Sequence, residues 1–221
     1  NPFAATRSMP LGTEEEQGKF NVGDEIFVST PGLQRATYRF DGTVWTPKDG
    51  KYLLWQDDYQ TETFVAFYPA EWALASVEAP YVFPTDQSST DKIAKADLMQ
   101  TNLNQTKTKE ALHFTMWRFT ARLIVKIAGF NSEFPADAKV ENVEFHNQTY
   151  GAPATYTPYA EGEGEAGSTY TVLVPWDAAH NTISLEVGGK TMTAKLSEFT
   201  YDSGQSYTYR LTVGKEKLET T

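Results

Sequence analysis

The chain contains no cysteine. Disulfide bonds, a thiol nucleophile and any thiolate metal site are therefore excluded at the outset. Histidine is scarce, with three residues in all. His113, His146 and His180 lie far apart, and none has a carboxylate or a second histidine at a helical metal-ligand spacing. They read more simply as polar strand-face or loop positions. The chain also lacks a Gly-x-Ser-x-Gly elbow, a Walker loop and a Gly-x-Gly-x-x-Gly turn before a helix. No catalytic residue, cofactor-binding residue or metal ligand stands out, although the carboxylates are too plentiful for a glycosidase pair to be excluded by counting. No apolar run approaches the roughly 18 residues that a membrane-spanning helix needs, and no signal peptide begins the chain.

Excess positive charge is missing too. The formal net charge is −10, so the surface repels phosphate backbones unless basic residues are concentrated somewhere. Lys107 and Lys109 are separated by Thr108, and Lys215 and Lys217 by Glu216, as in solvated strand ends. Nucleic-acid binding is not expected. Carboxylates are numerous, and Asp57-Asp58 and the run Glu161, Glu163, Glu165 are the densest groups. Adjacent carboxylates on a strand diverge, an alternating Glu-Gly run reads as a solvated loop, and no EF-hand spacing is present for calcium.

What the chain does have is strand-forming residues. Phenylalanine (13) and tyrosine (12) are abundant and threonine recurs throughout, which favours sheet over helix. The longest such run is Leu112 to Ile127. Its apolar positions are even-numbered at Leu112, Phe114 and Met116, then odd-numbered at Phe119, Ala121, Leu123, Val125 and Ile127. Side chains in a strand alternate between two faces, so the change of parity at Trp117-Arg118 requires an extra residue, a bend, or two strands joined end to end. As one strand the run would span about 50 Å, well beyond the usual length.

Other strands are expected at Ile26 to Val28, Tyr38 to Phe40, Val44-Trp45, Tyr52 to Trp55 and Thr63 to Tyr68. Asp41-Gly42 between two of them predicts a type I′ hairpin. Trp72 to Ala75 predicts a helical turn and Asp91 to Leu98 a short helix. Further strands are expected around Val143-Phe145, Tyr170 to Val174, Ile183 to Val187, Met192 to Leu196 and Tyr207 to Val213. Gly188-Gly189 makes a second tight hairpin, while Gln148 to Gly167 reads as a long loop. The most polar interval is Gln100 to Glu110. It places a boundary between two domains of residues 1–108 and 109–221, with residues 1–19 a loose arm or first strand. Exposed aromatics that stack on sugars are weighed against core plugs. For Trp45, Trp55, Trp72, Tyr156, Tyr159 and Trp176 alike, a place in the core or at its rim is the simpler reading. Tyr156, Tyr159 and Trp176 are the candidate ligand-contact aromatics, the two tyrosines because they lie in a Pro-rich loop.

Several of these segments together resemble a known family. Phe20-x-Val22-Gly23-Asp24-x-Ile26-x-Val28, Tyr38-x-Phe40-x-Gly42-x-x-Trp45, Phe64-x-Ala66-Phe67-Tyr68-Pro69 and Asp97-Leu98 in the first half are similar to the fimbrillin-like proteins of Bacteroides-type bacteria. So, in the second, are Phe114 with Ala121-Arg122-Leu123-x-Val125-x-Ile127, the strand end Val174-Pro175, and Ser203-Gly204-x-x-Tyr207-x-Tyr209. The resemblance implies an all-β protein of two tandem transthyretin-like antiparallel β-sandwich domains with little helix. It implies a structural or adhesive subunit of a surface pilus, exported as a lipoprotein to the outer membrane, with a lipid anchor that this chain does not include. Its partners would be other pilus subunits, joined by strand exchange, and a host protein or glycan; no cofactor is implied. In such proteins an amino-terminal strand is cut away by an arginine-specific protease, and Arg7 is the candidate processing site. Two departures stand out. Arg118 occupies a place where many members have histidine, and no separate donor segment is visible after the last expected strand. The alternative reading is a surface lipoprotein that binds carbohydrate through its exposed aromatics.

Overall fold

The computed structural model describes residues 11, 18–30, 34–56, 60–75, 80–215 and 217–221. They form two compact units, and each is all-β apart from one short helix. The first unit comprises the described residues up to Val82 together with Asp97–Phe119; the second comprises Phe83–Ala96 and Thr120–Thr221. Among the described residues, no helix is long and apolar enough to cross a membrane. Arg7 and the Asp57-Asp58 pair lie outside the described residues.

The first unit is built on one six-stranded sheet. Its strands are β1 (Glu25–Thr30), β2 (Gln34–Phe40), β3 (Trp45–Pro47), β4 (Thr61–Tyr68), β5 (Met99–Thr106) and β6 (Trp117–Arg118), in the order β3-β2-β1-β4-β5-β6. Alternation puts Ile26 and Val28 of β1 on the same buried face as Phe64, Ala66 and Tyr68 of β4, where Phe20, Met99 and Phe114 join them. The helical turn expected after Pro69 is α1 (Ala70–Ala73).

Tyr52 to Trp55, expected as a strand, has no strand geometry. Its Leu53 and Trp55 still pack on the core. The backbone of this segment is served by side chains instead of a neighbouring strand. Leu53 N–H donates to the Tyr38 hydroxyl (3.1 Å), Leu54 N–H to Gln34 Oε1 (2.9 Å) and Gln56 N–H to Glu62 Oε1 (2.6 Å). The hairpin at Asp41-Gly42 is present, but only Gly42 in this turn has a positive φ (106°), so it is not the type I′ turn expected. Asp41 Oδ1 closes it by accepting from Thr43 N–H (2.7 Å) and Val44 N–H (2.8 Å).

The second unit is a sandwich of two sheets. Its strands are β7 (Thr120–Phe130), β8 (Glu141–Thr149), β9 (Ala152–Tyr156), β10 (Tyr159–Glu161), β11 (Thr169–Pro175), β12 (Ala179–Val187), β13 (Lys190–Ser197), β14 (Ser206–Val213) and β15 (Leu218–Thr220). One sheet runs β10-β11-β7-β14-β15 and the other β13-β12-β8-β9. All pairs are antiparallel except β7 with β14, which is parallel. Leu123, Val125 and Ile127 of β7, Val172 and Val174 of β11, and Leu211 and Val213 of β14 are buried, as are Phe145, Ile183 and Leu185 of the other sheet. The Gly188-Gly189 turn has positive φ at both positions (56° and 80°), as a type I′ hairpin requires. Within the expected loop at 148–167 the chain instead forms β9 and β10.

The parity switch coincides with the passage from one unit to the other. Phe114 belongs to the first core, β6 ends at Arg118, Phe119 N–H donates to Leu98 O (2.8 Å), and β7 begins at Thr120. The run is thus not one strand: residues 112–116, expected as strand, have no strand geometry, and the two-residue β6 is separated from β7 by Phe119. The division expected at 108/109 differs from this partition, because 109–119 lie with the first unit and 83–96 with the second. The polar interval at 100–110 is mostly β5, paired residue by residue with β4 from Thr61↔Thr106 to Tyr68↔Met99.

The segment from Phe83 is held into the second unit by Gln87, a fully buried residue. Its side-chain amide donates to Leu173 O and accepts from Leu173 N–H, both at 2.8 Å, in the manner of a strand partner. Helix α2 (Thr90–Lys95) follows, capped by Ser89, whose Oγ accepts from Lys92 N–H. Asp86 binds the helix side: Lys92 Nζ donates to Oδ2 (2.5 Å) and the Ser88 hydroxyl to Oδ1 (2.6 Å). The lysine first and the serine second hold the Asp86 carboxyl down to about 2. Because this value is depressed in the folded chain, its stabilising effect is complete above the ordinary aspartate range and is lost as pH falls toward 2. A carboxyl-detected NMR titration is expected to give an Asp86 midpoint near 2, and Lys92→Ala to move it upward.

Candidate functional site

Among the described residues, no cluster of three His, Asp or Glu side chains could hold a metal ion. His146 is committed to neighbouring strands, with Nδ1 at 3.1 Å from Thr155 Oγ1 and Nε2 at 2.7 Å from Ser184 Oγ. His180 pairs with Glu198 (2.8 Å). The Glu161–Glu165 run is a built turn. Val140 N–H donates to Gly164 O (2.9 Å), Gly164 N–H to Ser168 Oγ (3.0 Å), and Lys139 pairs with Glu163 (3.0 Å). Among the described residues, sheet edges and exposed rings offer other means of recognition.

The long edges are not alike. β13 bounds its sheet with Lys190 and Lys195, both exposed, and charged lysines discourage edge pairing. β9, the opposite edge, carries Pro153, and just beyond its end Thr157 exchanges backbone hydrogen bonds with Thr85 and Gln87. In the first unit β6 covers β5 only at Met99 and Gln100. From Thr101 to Thr106 no strand pairs with the outer edge of β5 among the described residues. This edge has neither lysine nor proline.

The register says which groups face outward. Lys107 N–H donates to Gln60 O (2.8 Å), which extends the β4–β5 ladder by one bonded pair. Bonded and non-bonded pairs alternate, so Thr101, Leu103 and Gln105 exchange bonds with β4 while the backbone groups of Asn102 and Asn104 point away from it.

The three candidate aromatics separate. Tyr156 is fully buried, not exposed: it lies opposite Phe145 in the β8–β9 pair and its hydroxyl meets Thr149 Oγ1 at 2.7 Å. Burial pushes its phenol up from the ordinary value. Tyr159 is half-buried in β10. Trp176 is exposed at 38%, and it stands beside a residue that sequence reasoning did not single out, Tyr150, exposed at 56%. Their ring centroids are 5.7 Å apart at an interplanar angle of 77°. Tyr150 and Gly151 form the two-residue tip of the β8–β9 hairpin, with φ of 51° and 73°. The signal for this site was the Tyr-Gly dipeptide between two β runs, a weaker form of the Asn-Gly turn signature. Asp177, next to Trp176, accepts from Tyr150 N–H through Oδ2 (2.6 Å).

Among the described residues the two all-β units offer a strand edge that is unpaired from Thr101 to Thr106. Residues 13–221 match the model of the fimbrillin-like family, and the chain belongs to that family of fimbrial and adhesive subunits. Solved structures share the fold. A provisionally assigned cell adhesion protein from Bacteroides uniformis is similar at a TM-score of 0.64 and 17% identity, covering 99% of this chain and 93% of that one. One from Bacteroides ovatus has a TM-score of 0.59 at 15% identity, covering 93% and 89%. One from Bacteroides fragilis has 0.52 at 14% identity, covering 89% and 82%. A comparison with curated protein sequences gives no match.

Proposed function

We infer that the chain is a structural or adhesive subunit of a cell-surface fimbria, joined to its neighbours by a strand that adds to the outer edge of β5. The protein is exported and held at the outer membrane by a lipid anchor, and cleavage after Arg7 readies it for assembly. The observation that carries this reading is the edge of β5. From Thr101 to Thr106 it is an edge that, among the described residues, neither charge nor proline nor a crossing segment protects, in contrast to β9 and β13. Backbone groups of Asn102 and Asn104 supply the hydrogen bonds of β-augmentation, and the alternation of side chains sets the register.

Asn102→Pro tests it. Proline at an outward-facing position removes no bond to β4 and is compatible with an edge strand, yet it blocks pairing from outside. After treatment with an arginine-specific protease, the unaltered chain is expected to begin at Ser8 and to form oligomers on a sizing column with light scattering. The Asn102→Pro chain is expected to be cut and to remain monomeric. Equal oligomerisation of the two would rule out β5 as the acceptor, and the absence of a fragment beginning at Ser8 would rule out Arg7.

A further inference from the structure

The tip of the β8–β9 hairpin combines features that packing alone does not explain. Tyr150 adopts a left-handed backbone, a conformation that costs an L-residue other than glycine roughly 1–2 kcal/mol and that asparagine or glycine usually supplies in such turns. The ring that results is more than half exposed, so burial does not offset this strain. Strained backbone retained at an exposed position is characteristic of sites that hold a ligand. The neighbouring Asp177 carboxylate fixes the Tyr150 N–H, and it does so with Oδ2 alone. Its Oδ1 is buried and has no hydrogen-bond partner among the described residues, an acceptor that calls for an explanation.

From this arrangement we propose that the corner made by Tyr150 and Trp176 is a binding site for a neutral pyranose sugar. Two rings set nearly at right angles present one apolar wall to the C–H face of a sugar and a second to its edge. The Tyr150 phenol, whose pKa is raised by burial first and by the Asp177 charge second, offers a donor to a ring hydroxyl. The nearby carboxylate and the net charge of −10 disfavour sialylated or sulfated sugars. A peptide strand fits less well, because a two-residue turn has no free edge to pair with. The site lies on Tyr150 and Trp176, not on the buried Tyr156 or the half-buried Tyr159.

The test uses the full chain on an array of neutral mannose-, galactose- and N-acetylglucosamine-terminated oligosaccharides with sialylated counterparts, followed by calorimetric titration of the best neutral binder. Tyr150→Asn keeps a residue that tolerates the left-handed turn and keeps the backbone N–H for Asp177, so it removes the ring alone. Tyr150→Asn and Trp176→Ala are each expected to weaken binding at least tenfold, while the melting temperature of Tyr150→Asn stays within a few degrees of the parent. No binding to any neutral sugar, equal binding by Tyr150→Asn, or preference for the sialylated series would overturn the proposal. Oligomer formation by the Tyr150→Asn chain is expected to be unchanged, so failure here leaves the assembly reading standing.

Discussion

Replacing Arg118 by alanine is expected to destabilise the first unit by about 3 kcal/mol. Arg118 Nε lies 3.1 Å and 2.9 Å from the two carboxylate oxygens of Asp97. Asp97 has a side chain exposed at 0% and Arg118 at 28%. Removing one member of such a pair leaves a buried charge without its counter-ion, which costs more than the intact pair contributes. The lower end of the usual range applies because solvent reaches the guanidinium. Arg118 also sits in the two-residue β6, directly opposite Met99, so the pair ties β6 to the start of β5. Denaturant unfolding measures the loss, and hydrogen exchange locates it. Amides of β4 and β5 are expected to lose protection while those of β7 and β14 keep theirs. Pairing Arg118→Ala with Asp97→Ala is expected to recover part of the loss, since the double change removes the stranded charge. A double variant as unstable as the sum of the two single ones would show that the side chains act independently.

The same two residues show how far the sequence could be read. Parity in Leu112 to Ile127 excluded a single strand, but not by the expected route: 112–116 have no strand geometry although Leu112, Phe114 and Met116 pack on the first core, and the interruption before β7 falls at Phe119. The alternation did not say that the two halves serve different units, since that depends on β6 pairing with β5 and on β14 pairing with β7 in parallel, both non-local. The interval that β5 occupies looks like a domain boundary in the sequence because Asn102, Asn104 and Thr106 face solvent and only Thr101 and Leu103 hint at the inner side. Pro153 and Pro158 suggested a loop, yet proline is compatible with an edge strand, and β9 is one. Tyr156 followed from that misreading: once Ala152–Tyr156 pairs with β8, its ring must point inward beside Phe145. The Tyr150–Trp176 corner depends on a turn at residue 150 meeting another at residue 176, and no local pattern brings those together.

The Glu161–Glu165 turn carries the largest expected effect of a single methyl group. Gly164 has φ of +98°, where a side chain is strained, and a Cβ placed there would fall well inside van der Waals contact of the Val140 carbonyl oxygen. That oxygen is backbone, so it cannot swing aside, and Val140 N–H is itself bonded to Gly164 O at 2.9 Å. Strain of about 1–3 kcal/mol and overpacking of about 1–3 kcal/mol add to an expected loss of about 4 kcal/mol for Gly164→Ala. Gly167 supplies the control. It has the same φ of +98°, but nothing lies within 4 Å of its Cβ position. Gly167→Ala therefore carries the backbone term alone, and the difference between the two variants in denaturant unfolding isolates the contact with Val140. Equal losses would mean that the loop at 161–167 yields as a whole and that the Glu-Gly alternation is only a solvated surface. A difference of about 2 kcal/mol or more would mean that these glycines are fixed by the approach of the chain before β8, at the far end of the strand whose hairpin carries Tyr150.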